Sequence, residues 1–312
     1  MTNNAHDHRM RVVIFGNRYQ DMHLGNIQRM LNALHAHHAY IMMEERFYDY
    51  LCERLADTVR VHKVVRKSED YTADIALSLG GDGTFLRTAR KVALRNIPIL
   101  GINTGTLGYL ADVPVDEIEQ VIDELNRGEY ITEERTLVKV DCNSPVDFLF
   151  SYALNEVAIL KTTIASMIHM DVEIDQRHLM TCDADGIIVA TPTGSTAYNL
   201  SVGGPIIEPT SQNVVITPIA AHSLHLRPLV LSNDRVVSIK TFSRAQNYLV
   251  SIDGRTYMLP IGTTVTVSKA PFTVKVIHNR SHHFTATLRN KLMWGIHITS
   301  RRGGDTPQSQ EY

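Results

Sequence analysis

Two glycine-rich stretches of the sequence hold residues suited to phosphate chemistry. The first, Gly80-Gly81-Asp82-Gly83-Thr84, lies between a predicted strand and a predicted helix. Glycines let the backbone approach a ligand closely, and a helix N-terminus presents free N–H groups to phosphate. A carboxylate repels phosphate, so Asp82 indicates a proton acceptor for a hydroxyl group or a neighbour of a divalent cation. A strand-to-helix turn capped by Asp82 explains the same residues.

The second stretch, Asn103 to Gly108, follows a neighbouring predicted strand. Two such loops at one edge of an open α/β sheet define a ligand crevice.

A third stretch is rich in hydroxyl groups. It runs from Thr191 to Ser201, after Asp185-Gly186 and a short apolar segment, and offers donors to phosphate oxygens and ribose hydroxyls. Further upstream, Asn155-Glu156 places an amide beside a carboxylate, which suits a vicinal diol. Hydroxyl-rich loops are usually solvated turns, but eleven such residues flanked by glycines argue against that interpretation here. For Asn155-Glu156 taken alone, a surface pair is the favoured interpretation.

Several familiar motifs are absent from the sequence, which excludes a Walker-type nucleotide site and the dinucleotide fingerprint of dehydrogenases. It contains no GxxxxGK[ST] loop, no GxGxxG fingerprint and no HExxH motif. Asp253-Gly254 is typical of a hairpin turn. The three histidine clusters are interpreted as surface or hydrogen-bonding residues, and no residue is assigned as a metal ligand: His35/His37/His38, His222/His225 and His278/His282/His283.

Composition indicates a globular chain of two domains. At about 150 residues per domain, 312 residues favour two. A net charge of −2 argues against nucleic-acid and membrane partners. No apolar run reaches the roughly 18 residues of a membrane helix, and the polar N-terminus lacks a signal-peptide core. Three scattered cysteines, read as reduced thiols, favour the cytoplasm.

Hydrophobic patterning predicts the fold class. Strands at 11–15, 74–79 and 97–102 alternate with helices, including 84–94 and 115–125, which favours a parallel sheet with flanking helices. From residue 137 onward short strands follow one another, which favours a β-rich, sandwich-like second domain. We therefore expect an α/β domain over residues 1–131 and a β-rich domain over 132–283.

These motifs, in this order, resemble the ATP-NAD kinase family. GGDG alone is shared with lipid kinases and phosphofructokinases, whereas TPTGSTAY with an upstream Asn-Glu is far more specific. The resemblance spans roughly residues 75 to 295 and is carried by GGDGTFLR (80–87), GINTGTLGYL (101–110), Asn155-Glu156, DGIIVATPTGSTAYNLS (185–201), GGP (203–205), HSLHLRP (222–228), SIDG (251–254) and LRNKLMW (288–294).

The resemblance implies transfer of the ATP γ-phosphoryl group to the 2′-hydroxyl of the adenosine ribose of NAD, giving NADP. It implies that Asp82 accepts the hydroxyl proton, and that Mg²⁺ arrives with ATP rather than in a protein cage. The residues that would bind NAD are Asp82, Gly83, Arg87, Asn155, Glu156, Asp185, Thr193, Thr196, Ala197, Tyr198, Asn199, Leu200, Ser201 and Ala220; the loop that would hold phosphate is Gly80, Gly81, Gly83 and Thr84.

The family resemblance also implies a homodimer or homotetramer with pockets completed by a neighbouring subunit. It implies that the C-terminal segment, about 284–312, packs back on the first domain. Arg255 stands where the family commonly has Gln, Tyr109 where it has Phe, and Asp183 lies in a variable region. The preference for NAD or NADH and for ATP or polyphosphate stays open, as do two rival functions, a lipid or sphingoid-base kinase and a non-catalytic NAD-binding protein.

Overall fold

The computed structural model describes residues 9–55, 58–105, 108–162, 167–223 and 225–295. Its helices are α1 Leu24–Ala36, α2 Glu45–Leu55, α3 Asp82–Val92, α4 Ile118–Arg127, α5 Tyr198–Ser201 and α6 Phe284–Leu292. The first strands are β1 Arg11–Gly16, β2 Tyr40–Glu44, β3 Lys63–Val65, β4 Ile75–Leu79, β5 Ile99–Asn103 and β6 Val113–Pro114. The later strands are β7 Tyr130–Cys142, β8 Tyr152–Ala153, β9 Glu156–Leu160, β10 Ile168–Ile174, β11 Arg177–Ala184, β12 Gly186–Ala190, β13 Asn213–Ile219, β14 Leu229–Ser232, β15 Val237–Phe242, β16 Asn247–Ile252, β17 Arg255–Pro260 and β18 Thr264–Asn279.

A parallel sheet in the order β5-β4-β1-β2-β3 forms the first part of the chain. The central strand β1 is a continuous apolar run, as expected of a strand buried on both faces. Ile14 belongs to the core on one face of this sheet and Phe15 to the core on the other. The loops after β4 and β5 therefore meet at the carboxyl edge, as the sequence predicts for a ligand crevice.

The long strand β18 extends this sheet into the second part of the chain. It pairs in parallel with β5 through Val276 and Ile99, and antiparallel with β7 and β15. The sequence predicts two separate strands here, at 263–267 and 273–277, and that prediction is wrong. A register irregularity between Lys269 and Thr273 interrupts the alternating pattern without ending the strand.

The second sheet is antiparallel, in the order β14-β13-β12-β9-β16-β17. Buried residues of this sheet, such as Val189 and Val250, share one apolar cluster with Met170 and Val265 of the first sheet. Two sheets packed face to face over a common core form a sandwich. The predicted fold class, a parallel α/β part followed by a β-rich sandwich-like part, is confirmed.

Individual elements agree with the sequence less uniformly. The predicted helix 115–125 appears as a 3₁₀ turn, Val115–Glu117, followed by α4, and Gly128 ends it with φ 69°. Strand β2 was not predicted, because its apolar run passes directly into α2 at Glu45.

Residues 281–295 belong to a separate unit that contains α6, and the tail from 296 onward lies outside the described residues. No helix in the described part of the chain has the length and hydropathy to cross a membrane.

Candidate active site

Backbone N–H groups of the second glycine-rich loop hold the Asp82 carboxylate. Oδ2 accepts a hydrogen bond from the N–H of Tyr109 at 2.9 Å, and Oδ1 accepts bonds from Leu110 at 2.9 Å and Ala111 at 3.3 Å. Asp82 is the first residue of α3, and Gly81 occupies the N-cap position. Its side chain thus does not act as the helix cap but joins the loops that follow β4 and β5.

Close packing requires glycine where this loop meets Asp82. A Cβ on Gly108 would lie 2.5 Å from Asp82 Oδ1, and a Cβ on Gly101 of β5 would lie 2.7 Å from the Ala111 Cα. Real Cβ atoms do not approach so closely, so both sites need the bare backbone. Residues 106 and 107 of this loop lie outside the described residues.

The Asn155-Glu156 pair and the hydroxyl-rich stretch lie together at one end of the second sheet. Glu156 begins β9 opposite Ala190, the last residue of β12. Thr191 donates its N–H to the Asn155 carbonyl at 2.9 Å, and a Cβ on Gly194 would lie 2.0 Å from that same oxygen. The turn after β12 is therefore pressed against the backbone of Asn155, so two of the motifs that carry the family resemblance lie side by side.

A second acidic residue, Asp253, fixes the start of β9. It lies with Gly254 in a hairpin turn in which both residues have positive φ, as the sequence predicts. Its buried carboxylate accepts the N–H groups of Leu154 and Asn155 at 2.8 Å and of Glu156 at 3.2 Å. Burial raises its pKa. Sequence reasoning missed this contact, because an Asp-Gly pair signals only the turn.

Three buried polar atoms at this end of the sheet have no hydrogen-bond partner among the described residues: Asn155 Oδ1, Glu156 Oε2 and Thr193 Oγ1. Burial, followed by the nearby Asp253 carboxylate, raises the pKa of Glu156 to about 7, and a backbone hydrogen bond from Tyr198 opposes this shift. Buried polar atoms are normally paired, so each such group calls for an explanation. A hydroxyl-bearing ligand, which can donate to the two oxygens and accept from the threonine, has the chemistry to pair with such atoms.

Two arginines of α3 have different surroundings, Arg87 at the first sheet and Arg90 within electrostatic reach of the Asp253 hairpin. Arg87 donates to the Gly16 carbonyl at the carboxyl edge of β1. Arg90 has a lowered pKa, mainly through burial and then through repulsion by Arg255, whereas attraction by Asp253 opposes the shift. The hairpin turn that fixes β9 therefore lies beside α3, so the two motifs border one cationic region.

The remaining sequence-predicted residues divide into two groups. Asn199 is fully buried, and its amide donates to the Ser195 and Pro205 carbonyls while Thr217 donates to its Oδ1. Its side chain thus holds the stretch 195–205 together. The neighbouring predicted residues Thr196, Ala197 and Leu200 are half-buried, and Tyr198 and Ser201 are exposed.

Asp185 and Ala220 lie at the other end of β12. The N–H of Asp185 donates to the Ile219 carbonyl, and its carboxylate pairs with Lys161 at 2.5 Å. At about 3.3 Å per residue, the six steps from Asp185 to Thr191 span roughly 20 Å. The structure therefore does not bring these two residues together with Asn155 and Thr193 in one subunit.

Alanine at Gly108 tests the contact between the loop and Asp82. We expect Gly108→Ala to destabilise the fold by about 1–3 kcal/mol, because the added methyl group pushes against Asp82 Oδ1. Hydrogen exchange of the 109–111 amides should also become faster. Gly105→Ala is the matched control, since a Cβ there meets nothing within 4 Å. Denaturant unfolding and exchange mass spectrometry measure both effects; equal stability and protection in the two variants would contradict the described geometry.

Comparisons with known proteins agree with this architecture. Family models for the ATP-NAD kinase N-terminal and C-terminal domains match residues 12–130 and 154–279. NAD kinases of Bacteroides fragilis (strain ATCC 25285) and Porphyromonas gingivalis (strain W83) are 43% and 42% identical to the chain over 286 and 291 residues. Each alignment covers 92% of this chain, and 98% and 99% of the respective relative.

Solved structures share the fold. A yeast NADH kinase complexed with NADH superposes with a TM-score of 0.83 at 23% identity, covering 94% of this chain and 90% of its own. An Archaeoglobus fulgidus NAD kinase in complex with ATP gives 0.67 at 26% identity, covering 90% and 99%. Given the two family models and the extent of these alignments, the chain belongs to the ATP-NAD kinase family.

Proposed function

We propose that this protein is an NAD kinase, which transfers the γ-phosphoryl group of ATP to the 2′-hydroxyl of the adenosine ribose of NAD. The observation that carries the proposal is the fixed Asp82 carboxylate in a glycine-rich loop at the carboxyl edge of the parallel sheet. Curated relatives over 40% identical along most of the chain are NAD kinases, which supports this activity.

Asp82 is proposed as the acceptor of the ribose proton. A carboxylate offers about four lone-pair positions. Three backbone N–H groups occupy three of them in Asp82, so one position remains for a substrate hydroxyl. Because the three bonds fix the group before substrate arrives, no reorganisation is needed during transfer. Gly80, Gly81, Gly83 and Thr84 would hold phosphate beside the N-terminus of α3.

A divalent cation, Mg²⁺, is proposed to arrive with ATP. Magnesium usually keeps several waters and binds through substrate phosphates. Because the one open position on Asp82 is assigned to the substrate hydroxyl, phosphate oxygens and water would hold the cation. The cation neutralises charge on the phosphate oxygens. The chain's own part is to orient the acceptor hydroxyl and to take its proton at Asp82.

The unpartnered atoms of Asn155, Glu156 and Thr193 are proposed to bind a ribose of NAD. Ribose hydroxyls donate to the amide and carboxylate oxygens and accept from the threonine hydroxyl. Arg87, near the edge of β1, would face the phosphates of the dinucleotide. The stretch 196–201 would line the same pocket, with Asn199 shaping it from within the fold.

A homo-oligomer, either a dimer or a tetramer, is proposed to complete the pocket. Asp185 and Ala220 lie roughly 20 Å along β12 from Thr191. A second subunit could bring its own copies of these residues to the site. We also propose a functional division near residue 131 and a cytoplasmic location, which the three free cysteines support.

A substrate assay tests the proposed function. The purified chain is mixed with Mg²⁺, with NAD or NADH, and with ATP or polyphosphate, and the product is identified by phosphorus NMR. We expect a dinucleotide phosphorylated at the 2′ position with ATP as donor. NAD that is bound but left unmodified, or phosphorylation of a sphingoid base in vesicles with NAD untouched, would contradict the proposal.

Glu156 predicts a pH dependence of NAD binding. Its pKa of about 7 means that the protonated form dominates below that pH. Only the ionised form accepts hydrogen bonds at both oxygens, and it rises from roughly one tenth of molecules at pH 6 to nine tenths at pH 8. NAD affinity should therefore increase by up to about tenfold across this range. Calorimetric titration measures it, with Glu156→Gln as the control.

In that control the affinity should be nearly independent of pH, because glutamine does not titrate. A wild-type affinity that is flat from pH 6 to pH 8, or one that falls, would show that ionised Glu156 does not hold the ribose.

A further inference from the structure

The segment 108–112 is held on three sides. Its N–H groups at 109–111 bind Asp82, and Ala111 packs on the bare backbone of Gly101. On the third side, Asp112 Oδ2 lies 3.0 Å from Nδ1 of His278, near the end of β18. The contact with His278 is thus the continuation, one residue further along the chain, of the loop that fixes Asp82.

His278 belongs to a buried charged network that the proposed reaction does not use. Its side chain is 4% exposed, and its Nε2 lies 3.6 Å from Glu133 Oε2 and 3.4 Å from an Arg135 guanidinium nitrogen. Arg135 in turn pairs with Glu133 at 2.6 Å, and burial lowers its pKa. Glu133 and Arg135 lie on β7, the strand paired with β18, so the network ties the loop to two long strands.

Because these side chains are buried away from water, their hydrogen bonds depend on one relative arrangement of the groups. Removing the His278 imidazole takes one hydrogen-bond contact away from the Asp112 carboxylate, which favours a rearrangement of the segment that carries it. Because Asp112 directly follows Ala111 in the chain, a shift of the Asp112 backbone also shifts Ala111 and Leu110, whose N–H groups bind Asp82 Oδ1. A displacement of about 1 Å in a reacting group can reduce the reaction rate about a hundredfold.

We propose that Asp112 and His278 are positioning residues, which orient the 109–111 N–H groups and through them the Asp82 carboxylate. The inference rests on the proposed function, because it assigns a kinetic role to residues that touch no substrate. It also gives a purpose to one member of the 278–283 histidine cluster. A purely structural role for the pair would affect folding stability without a specific effect on turnover.

The test compares His278→Ala, His278→Asn and Asp112→Asn. An asparagine at 278 can place its amide nitrogen where Nδ1 lies and so keep the contact with Asp112. We expect His278→Ala to lower kcat roughly ten- to hundredfold with the KM for NAD changed less than about threefold. His278→Asn should recover most of kcat, and Asp112→Asn, the milder change, should lie between them.

Tyr248→Phe is the matched control for lost stability. Tyr248 is fully buried between the sheets, and its hydroxyl donates to the Thr263 carbonyl at 3.1 Å, away from the segment 108–112. We expect a lower melting temperature in this variant with unchanged kcat. The inference is overturned if folded His278→Ala keeps wild-type kcat, if only KM changes, or if Tyr248→Phe loses as much kcat at equal loss of stability.

Hydrogen exchange separates failure of this inference from failure of the proposed function. A wild-type chain that makes no NADP contradicts the proposed function. The coupling of His278 to the loop is then still measurable, because His278→Ala should speed exchange of the 109–111 amides while Tyr248→Phe should not. Unchanged exchange in His278→Ala would overturn the inference whatever the activity.

Discussion

The site depends on three backbone N–H groups that converge on the carboxylate of Asp82. They belong to a loop 27 to 29 residues further along the chain, so the contact exists only when β4 and β5 are paired and both loops reach the same edge. Since these donors are backbone groups, they do not depend on side-chain rotamers. The pairing of β4 with β5 therefore determines the orientation of the Asp82 side chain.

Backbone N–H groups also bind a carboxylate at the end of the second sheet. Asp253, in the β16–β17 hairpin turn, accepts the N–H groups of residues 154–156 and so fixes the start of β9. There the local consequence is electrostatic, because burial of Glu156, and after it the nearby Asp253 carboxylate, raises the pKa of Glu156 to about 7. Asp82 is thus held by a loop as a candidate proton acceptor. Asp253 instead holds the start of β9 and contributes to the raised pKa of Glu156.

Unsatisfied buried polar atoms mark the start of β9 and the turn after β12. Asn199 is as deeply buried as Asn155, yet its amide and carbonyl oxygen all have protein partners. Asn155 Oδ1, Glu156 Oε2 and Thr193 Oγ1 have none among the described residues. A buried polar atom without a partner lowers stability, and under the proposed function the hydroxyl groups of NAD would supply the missing partners.

The sequence pattern predicts those elements that depend on interactions between residues close together in the chain. The strands at β1, β4 and β5, the glycine end of α4 and the Asp253-Gly254 hairpin turn all follow from apolar runs and turn chemistry. The β18 pairing with β5, β7 and β15 does not, because its partners lie up to 177 residues away, at Ile99. For the same reason the sequence identified Asp82 as chemically unusual but did not predict its N–H donors, the contact between Asp253 and β9, or the buried network at His278.

The most direct measurement is single-turnover phosphoryl transfer by Asp82→Asn, with NAD affinity determined on the same sample. Asparagine keeps the size of the side chain but cannot take a proton. The account predicts NAD binding within about threefold of wild type and a transfer rate lower by roughly 10²- to 10⁴-fold. A variant that binds NAD normally and forms the 2′-phosphate at the wild-type rate would contradict it.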